Sequence, residues 1–475
     1  MKKIKSIHFV GIKGVGIAPL AIIAKEAGFF VSGSDIEEEF ITSESLMKAK
    51  IKPLVGFSRE HIQNADLVIA TGAHGGLENV EVLEAKKREI AVWTQGQAVG
   101  EFMKGEIFGR KFLGISVAGS HGKTTTTAIL ATILKEGNLD PSFLIGTGDT
   151  PSLSSSGHFG KGKYFIAEAD EYATEPKYDK TSKFLWQYPQ MAIFTNIEFD
   201  HPDIFTSLDQ IRNNFQAFAS QLPESGILIA CGDDPQIKML LYKYKGRKIT
   251  FGFSPSNDYV IKKITTAEAK TFFWVNAYST SLGEFSLNLS GEFNAINALG
   301  AIISAIELGL SIQKIKVGLQ KFTGSKRRFE YIGKLTTGAL VFDDYAHHPT
   351  EIKKTLKAFR QSFPKSKIVC IFQPHTYSRT KVLFDDFVHS FSDADAVILS
   401  DIYPSFREKE DKTVSSKLLV DKIVPIHKDV IYLPKSDNVV KYIDQKRYGE
   451  DVLIITMGAG DIYKITQNLE FKSQN

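Results

Sequence analysis

Cysteine is scarce. Cys231 and Cys370 are the only two in 475 residues, they lie far apart, and each borders an apolar run ("GILIAC", "KIVCIF"). This points to two buried free thiols rather than a disulfide or a metal-ligand pair. Long apolar runs are missing too: none reaches the length that spans a bilayer. The opening "MKKIKSIHFVGIKG" sets charge before an apolar stretch, but that stretch is short and broken by glycine, unlike a secretory signal. The expectation is a cytoplasmic chain without a membrane partner. Nor is there a large excess of one charge. Against 58 Lys and Arg stand 54 Asp and Glu, net +4, interspersed and without a long basic block. That gives no ground for a nucleic-acid partner. Solenoid-type repeats and sizeable low-complexity tracts are also absent.

What remains is ordinary globular material, 43% apolar and 24% charged, in a chain too long for one core. Three segments each alternate short apolar runs with helical patterns, the mark of parallel sheets with crossover helices. In the first, "KSIHFVGIKGVGIAPLAIIAKEAGFFVSGSD" reads as strand, glycine turn, helix and a second strand ending in Asp35; "ADLVIATG" and "IAVWT" continue it. The second opens with "KFLGISVAG" and the helix "KTTTTAILATILKEGN", followed by strands at "KYFIAEAD", "MAIFTNIE" and "GILIACGD" and a strand-to-helix stretch ending "NAINALGAIISAIELGL". The third carries "ALVFDDYAHHP", the helix "TEIKKTLKAFRQSF", "KIVCIFQP", "DAVILSDIYP" and "DVLIITMGAGDIY". The predicted domains are residues 1–108, 109–323 and 324–475. "PSLSSSGHFGKGK" (151–163) is predicted to be a mobile polar loop.

The most informative stretch is "GSHGKTTTT", where a strand's end meets a helix's beginning. Backbone N–H groups and the positive end of the helix dipole converge there, which favours phosphate. Gly119 and Gly122 let the backbone close around phosphate oxygens; Ser120, His121 and Thr125 belong to the same loop. Lys123 supplies a cation for the β- and γ-phosphates and Thr124 a hydroxyl for Mg²⁺. Val117 stands where the usual P-loop has its first glycine, so this is a shorter variant, G-x-x-G-K-T-T. Further along, "AEADE" and "TNIEFDH" end successive strands, and Glu168 and His201 from them are candidates for a shared Mg²⁺. In the first segment "GIKGVG" sets Gly11, Gly14 and Gly16 at a helix start. Alone, this turn with Asp35 on a ribose would equally suit an NAD-dependent oxidoreductase, which would leave Lys123 and the Mg²⁺ pair without a task. Lys13 reads either as a phosphate contact or as a solvated lysine.

Taken in order, "GIKGVGIAPLA", "VSGSD", "GSHGKTTTT", "AEADE", "TNIEFDH", "GEFNAINALGAI", "GSKRRFE", "DDYAHHPTEI" and "FQPHTYSRT" resemble the Mur ligase family over nearly the full length. The resemblance implies an α/β protein of three domains: a Rossmann-like UDP-sugar-binding domain, a central P-loop ATPase and a C-terminal Rossmann-like domain for the incoming amine. It implies an ATP- and Mg²⁺-dependent amide-bond ligase of peptidoglycan precursor synthesis, a monomer or homodimer, acting on UDP-N-acetylmuramate through an acyl phosphate. By position it places Asn294 at the adenine, Arg328 at the γ-phosphate and Asp344 at the ATP ribose. Gly11, Gly14, Gly16 and Asp35 fall to the UDP-sugar, and Tyr345, His347, His375 and Arg379 to the amine substrate. Lys123, Arg328 and His201 are the catalytic candidates; Thr124, Glu168 and His201 are the metal candidates.

Three departures from the family pattern bear on the substrate. Phe293 replaces a histidine near the adenine, and Thr376 replaces the arginine usual in L-alanine-adding members. "EADEYATEPKYDKTSKF" is longer than the L-alanine-type loop and resembles the recycling type that attaches L-alanyl-γ-D-glutamyl-meso-diaminopimelate. The carboxy-terminal motif favours L-alanine, and the recycling reaction is the alternative. No lysine lies between His201 and Lys238, so a carbamylated lysine is not expected there.

Overall fold

The apolar runs form the centres of three sheets, because helices covering both faces leave no polar alternation in an inner parallel strand. The computed structural model describes residues 4–267, 269–405 and 408–472. In the first unit a parallel sheet runs in the order Leu54–Val55, Phe30–Asp35, Ser6–Val10, Leu67–Ala70, Ala91–Thr94. In the third, Leu340–Asp344, Val452–Met457, Lys367–Phe372, Ala396–Leu399 and Val430–Tyr432 are parallel, with Glu330–Lys334 antiparallel at the edge.

The central unit holds a larger sheet. Its parallel heart sets Leu113–Ala118 between Met191–Phe194 and Tyr164–Ala169, so that "GSHGKT", "DE" and "TNIEFDH" leave the same sheet edge. Ligands of open parallel sheets collect in that crevice beyond the strands' carboxyl ends. Tyr164–Ala169 has two allegiances: Ile166 and Ala169 pack into the central core, whereas Phe165 and Ala167 pack into the core of the first unit. The central core also runs on into the third unit, where Phe329 stacks on Phe359 at 3.8 Å between ring centroids.

The segment 151–163 is not a free loop. Gly157–His158 pairs antiparallel with Phe143–Leu144, and the Phe159 N–H donates to Glu26 at 2.7 Å on the first unit's helix Ala18–Glu26. A Cβ at Gly157 would sit 2.4 Å from the Pro19 carbonyl oxygen, so the residue's lack of a side chain permits the docking. The long loop after Glu171 is a hairpin, Ala173–Glu175 with Asp179–Ser182, whose Lys177 and Tyr178 both reach Glu78 of the first unit. An antiparallel meander, Tyr259–Ala267, Lys270–Ala277 and Thr280–Leu287, extends one edge of the central sheet, where the sequence reading placed only its last strand. Both cysteines are buried free thiols, and burial pushes that of Cys231 up to about 11. Among the described residues no helix is long and apolar enough to cross a membrane.

Candidate active site

The phosphate loop leaves Ala118 at Gly119, whose φ of +150° and lack of a Cβ let it pass Thr195 Oγ1, 1.9 Å from where a Cβ would lie. Gly122 caps the helix Lys123–Glu136 at φ +84°, against Asn297. Asn196 braces the loop from the neighbouring strand: its Oδ1 accepts from the His121 N–H at 2.9 Å and its carbonyl from the Ser120 N–H at 3.0 Å. Lys123 Nζ donates to the Gly119 carbonyl at 2.5 Å and to Glu171 Oε2 at 2.9 Å. Burial works against its charge, but Glu171, Asp170 and Glu168 raise its pKa above the ordinary lysine value. Thr124 Oγ1 donates to Glu168 Oε2 at 3.0 Å, and Glu168 Oε1 accepts from the Gly146 N–H at 2.6 Å. His201 has Nε2 at 3.5 Å from Glu171 and 3.8 Å from Asp200.

One cleft gathers His121, Gly122, Thr125, Asn294, Arg328 and Asp344. Phe293 lies on its wall, beside Asn297. Asn294 is held by its Nδ2, which donates to the Ser290 carbonyl at 2.7 Å. The linker is pinned by a residue the sequence reading passed over. Arg327 is buried, with Nε donating to Asp343 at 2.9 Å and Nη1 to the Gly460 carbonyl at 3.1 Å. Its neighbour Arg328 therefore turns toward the cleft, 4.9 Å from the Tyr345 ring and 3.8 Å from Glu351. Asp344 accepts from the Phe329 and Ala346 N–H groups, each at 2.8 Å, and burial pushes its carboxyl up to about 6.

The four amine-site candidates form one patch. His347 lies 5.2 Å from Tyr345 and 5.9 Å from His375 between ring centroids, and Arg379 Nη1 donates to the His375 carbonyl at 2.8 Å. Burial drives His347 down to about 3, so its ring is neutral, with Nδ1 3.0 Å from the Tyr345 carbonyl. Arg379 Nε donates to Asp200 of the central unit at 2.7 Å. Burial alone would raise the Asp200 carboxyl, yet Arg379 holds it well below the usual carboxylate range. Thr376 begins the helix Tyr377–Val382 at φ +64° and ψ 153°, a conformation strained for a β-branched residue.

In the first unit Gly11 turns at φ +71°, where a Cβ would lie 2.6 Å from the Thr71 methyl. Gly14 accepts at its carbonyl from the Ile17 and Ala18 N–H groups, and Gly16 lies against Gln95. Asp35 accepts from the Lys13 N–H at 2.7 Å and from the Ile36 N–H at 2.8 Å, with His74 3.5 Å away. Lys13 is not a solvated lysine: it is buried, and its ammonium donates to the carbonyls of Ile36 and Glu38, both at 2.7 Å. Also overlooked were Glu171, Glu198, Asp200, His348 and Glu351. All stand inside stretches whose other residues had been singled out, and only tertiary packing marks them.

Three family models match in series: "Mur ligase family, catalytic domain" over residues 6–106, "Mur ligase middle domain" over 117–305, and "Mur ligase, glutamate ligase domain" over 327–460. The UDP-N-acetylmuramate–L-alanine ligase of Desulfitobacterium hafniense is 39% identical over 464 residues, 98% of this chain and 99% of that protein. The ligase of the same name from Acetivibrio thermocellus is 41% identical, covering 98% and 95%. Of solved structures, the UDP-N-acetylmuramate–alanine ligase of Thermotoga maritima is similar with a TM-score of 0.79 at 26% identity, covering 98% of this chain and 97% of the other. A murein peptide ligase from Psychrobacter arcticus gives 0.72 at 28%, covering 98% of both. With full-length relatives at this identity and the three models in order, the chain belongs to the Mur ligase family.

Proposed function

We propose that the chain joins L-alanine to the lactyl carboxylate of UDP-N-acetylmuramate at the expense of ATP, as a cytoplasmic step of peptidoglycan precursor synthesis. The observation that carries this reading is the meeting of two sets of residues at one seam. The phosphate loop of the central unit stands on one side, and Arg328 with the His347–His375–Arg379 patch of the third unit on the other, bridged by Arg379 and Asp200. The shared name of the full-length relatives supports the choice of substrates.

The lactyl oxygen attacks the γ-phosphorus and ADP departs, leaving an acyl phosphate. The amine nitrogen then adds to the acyl carbon, a proton is lost, and the tetrahedral intermediate expels phosphate to give the amide. Two anions must approach in the first step, so the enzyme's task is largely charge neutralisation and alignment. Lys123 and Arg328 are the cations placed for it. In this structure Glu171 occupies Lys123 as counter-ion, an arrangement that an incoming phosphate would replace. The residues fit Mg²⁺: Glu168 is a half-buried carboxylate whose pKa is raised by desolvation, it touches the Thr124 hydroxyl, and a hard divalent cation suits these oxygens. Bound there, Mg²⁺ would screen the phosphate charge; His201 is the further candidate ligand. Neutral His347 supplies a ring facing the patch where the amine must arrive without its proton.

The hairpin at 173–182, the sequence feature that resembled the tripeptide-adding type, has its charged tip on Glu78 of the first unit. That favours L-alanine over the tripeptide. The test is phosphate release from Mg·ATP with UDP-N-acetylmuramate, L-alanine in one sample and the tripeptide in another. Turnover with L-alanine alone is expected; turnover with the tripeptide alone would replace this reading by the recycling reaction.

A further inference from the structure

His121 stands in the phosphate loop with its ring against Glu351 and His348 at the seam with the third unit. It is 7% exposed, and neither ring nitrogen has an aligned hydrogen bond. Its Nε2 is 3.5 Å from Glu198 Oε2 and its Nδ1 is 3.2 Å from Glu351 Oε1. From the third unit His348 brings Nδ1 to 3.8 Å from the same Glu198 oxygen, the two rings lying 4.7 Å apart between centroids. The three ligand atoms fall within 4.8 Å of one another. Two bonds of about 2.1 Å at a tetrahedral angle span about 3.4 Å. The pairs at 3.5 Å and 3.8 Å stand close to that span, and the two imidazoles would draw together by up to about 1.4 Å to close on one ion.

The outer contacts are those a metal-binding pair of imidazoles requires. The other nitrogen of each ring faces an oxygen: Glu351 for His121, and for His348 the Phe199 carbonyl at 3.2 Å, which only accepts and so fixes the Nε2–H tautomer. His348 Nδ1 thus carries the lone pair, 3.8 Å from Glu198 Oε2. The Thr350 N–H reaches that lone pair at 3.3 Å, a long bond that an ion would displace. Two imidazoles and a carboxylate suit Zn²⁺, Co²⁺ or Ni²⁺, whereas Mg²⁺ prefers oxygen alone.

We propose that His121, Glu198 and His348 bind a divalent transition-metal cation, at a site separate from the Thr124–Glu168 position and shared between the central and third units. The ion would tie the phosphate loop to the start of the helix Pro349–Ser362 and so hold the seam closed. The inference does not depend on which amine the enzyme uses.

The test is titration of the full-length chain with Co²⁺, without nucleotide or Mg²⁺, followed by visible absorption. One equivalent should give the d–d band of a nitrogen-ligated ion, and proton NMR should show paramagnetically shifted N–H signals from two imidazoles. Glu198→Gln and His348→Gln should lose the band, and Glu351→Gln should weaken binding by about 10–100-fold. His201→Gln should retain it. The wild-type NMR signals decide the matter even if a ligand variant fails to fold. Absence of a band, or a band that survives His348→Gln and disappears in His201→Gln, would overturn the proposal.

Discussion

Arg379 of the third unit and Asp200 of the central unit form a buried ion pair, Nε to Oδ1 at 2.7 Å, one residue before His201. The pair ties the candidate amine-site patch to the loop that carries a metal candidate, and both partners are out of water. Removing one alone leaves an uncompensated charge. Arg379→Ala should therefore cost about 3–5 kcal/mol of stability. Arg379→Met with Asp200→Asn should recover most of that without restoring ligation. Denaturant midpoints and phosphate release on the two variants check this.

Lys123→Ala should abolish ligation, with a fall of at least about 10²–10³ in kcat, the scale of losing one preorganised electrostatic contact. UDP-sugar binding should be mostly kept, since Gly11, Gly14 and Asp35 sit on another unit. Calorimetric titration with UDP-N-acetylmuramate decides it: a comparable loss of binding would defeat this division of labour. Because the substitution leaves Glu171 buried without its lysine, Lys123→Ala/Glu171→Gln is the better-folded comparison.

Asp344 gives a pH signature. Its folded-state pKa is raised from 3.8 to about 6, so between those values the native state binds a proton that the unfolded chain has released. Stability from this group is thus full below pH 3.8 and falls as pH rises through about 6, by an amount on the order of 3 kcal/mol. Unfolding free energies measured across that window should show the decline in the parent and lack this component in Asp344→Asn.

Gly100 lies inside the helix Gln95–Lys104, where alanine would ordinarily add roughly 1 kcal/mol. Here the new Cβ would stand 2.0 Å from the Trp186 carbonyl oxygen of the central unit. Gly100→Ala should therefore lower the melting temperature instead of raising it, with a net cost of about 1–3 kcal/mol. A rise would mean that the two units are not packed closely at this contact.

Much of this architecture was legible in the sequence. Buried strands such as Ile227–Cys231 and Met191–Phe194 are unbroken apolar runs, and the glycines of "GSHGKT" mark a turn that few other residues can make. The meander was harder, because Tyr259–Ala267 and Lys270–Ala277 are half-solvated and carry lysines and threonines on their outer faces. The segment 151–163 looked mobile because its glycines and serines suggest freedom. What holds it is a partner more than a hundred residues away, Glu26. The burial of Lys13 is illegible for the same reason: a lysine's length serves inward capping as well as outward contact, and the carbonyls of residues 36–38 that receive it are brought there by the fold. Glu171 and Asp200 were within quoted motifs, but their roles depend on Lys123 and Arg379 approaching through the fold.

The two-sided strand Tyr164–Ala169 has a consequence for synthesis. A ribosome delivers the first hundred residues as a sheet and helices whose inner surface still lacks Phe165 and Ala167. Until some sixty further residues emerge, that surface has no native cover, and exposed apolar surface on a nascent chain invites association. The first unit therefore completes its core only after the phosphate loop, too, has left the tunnel.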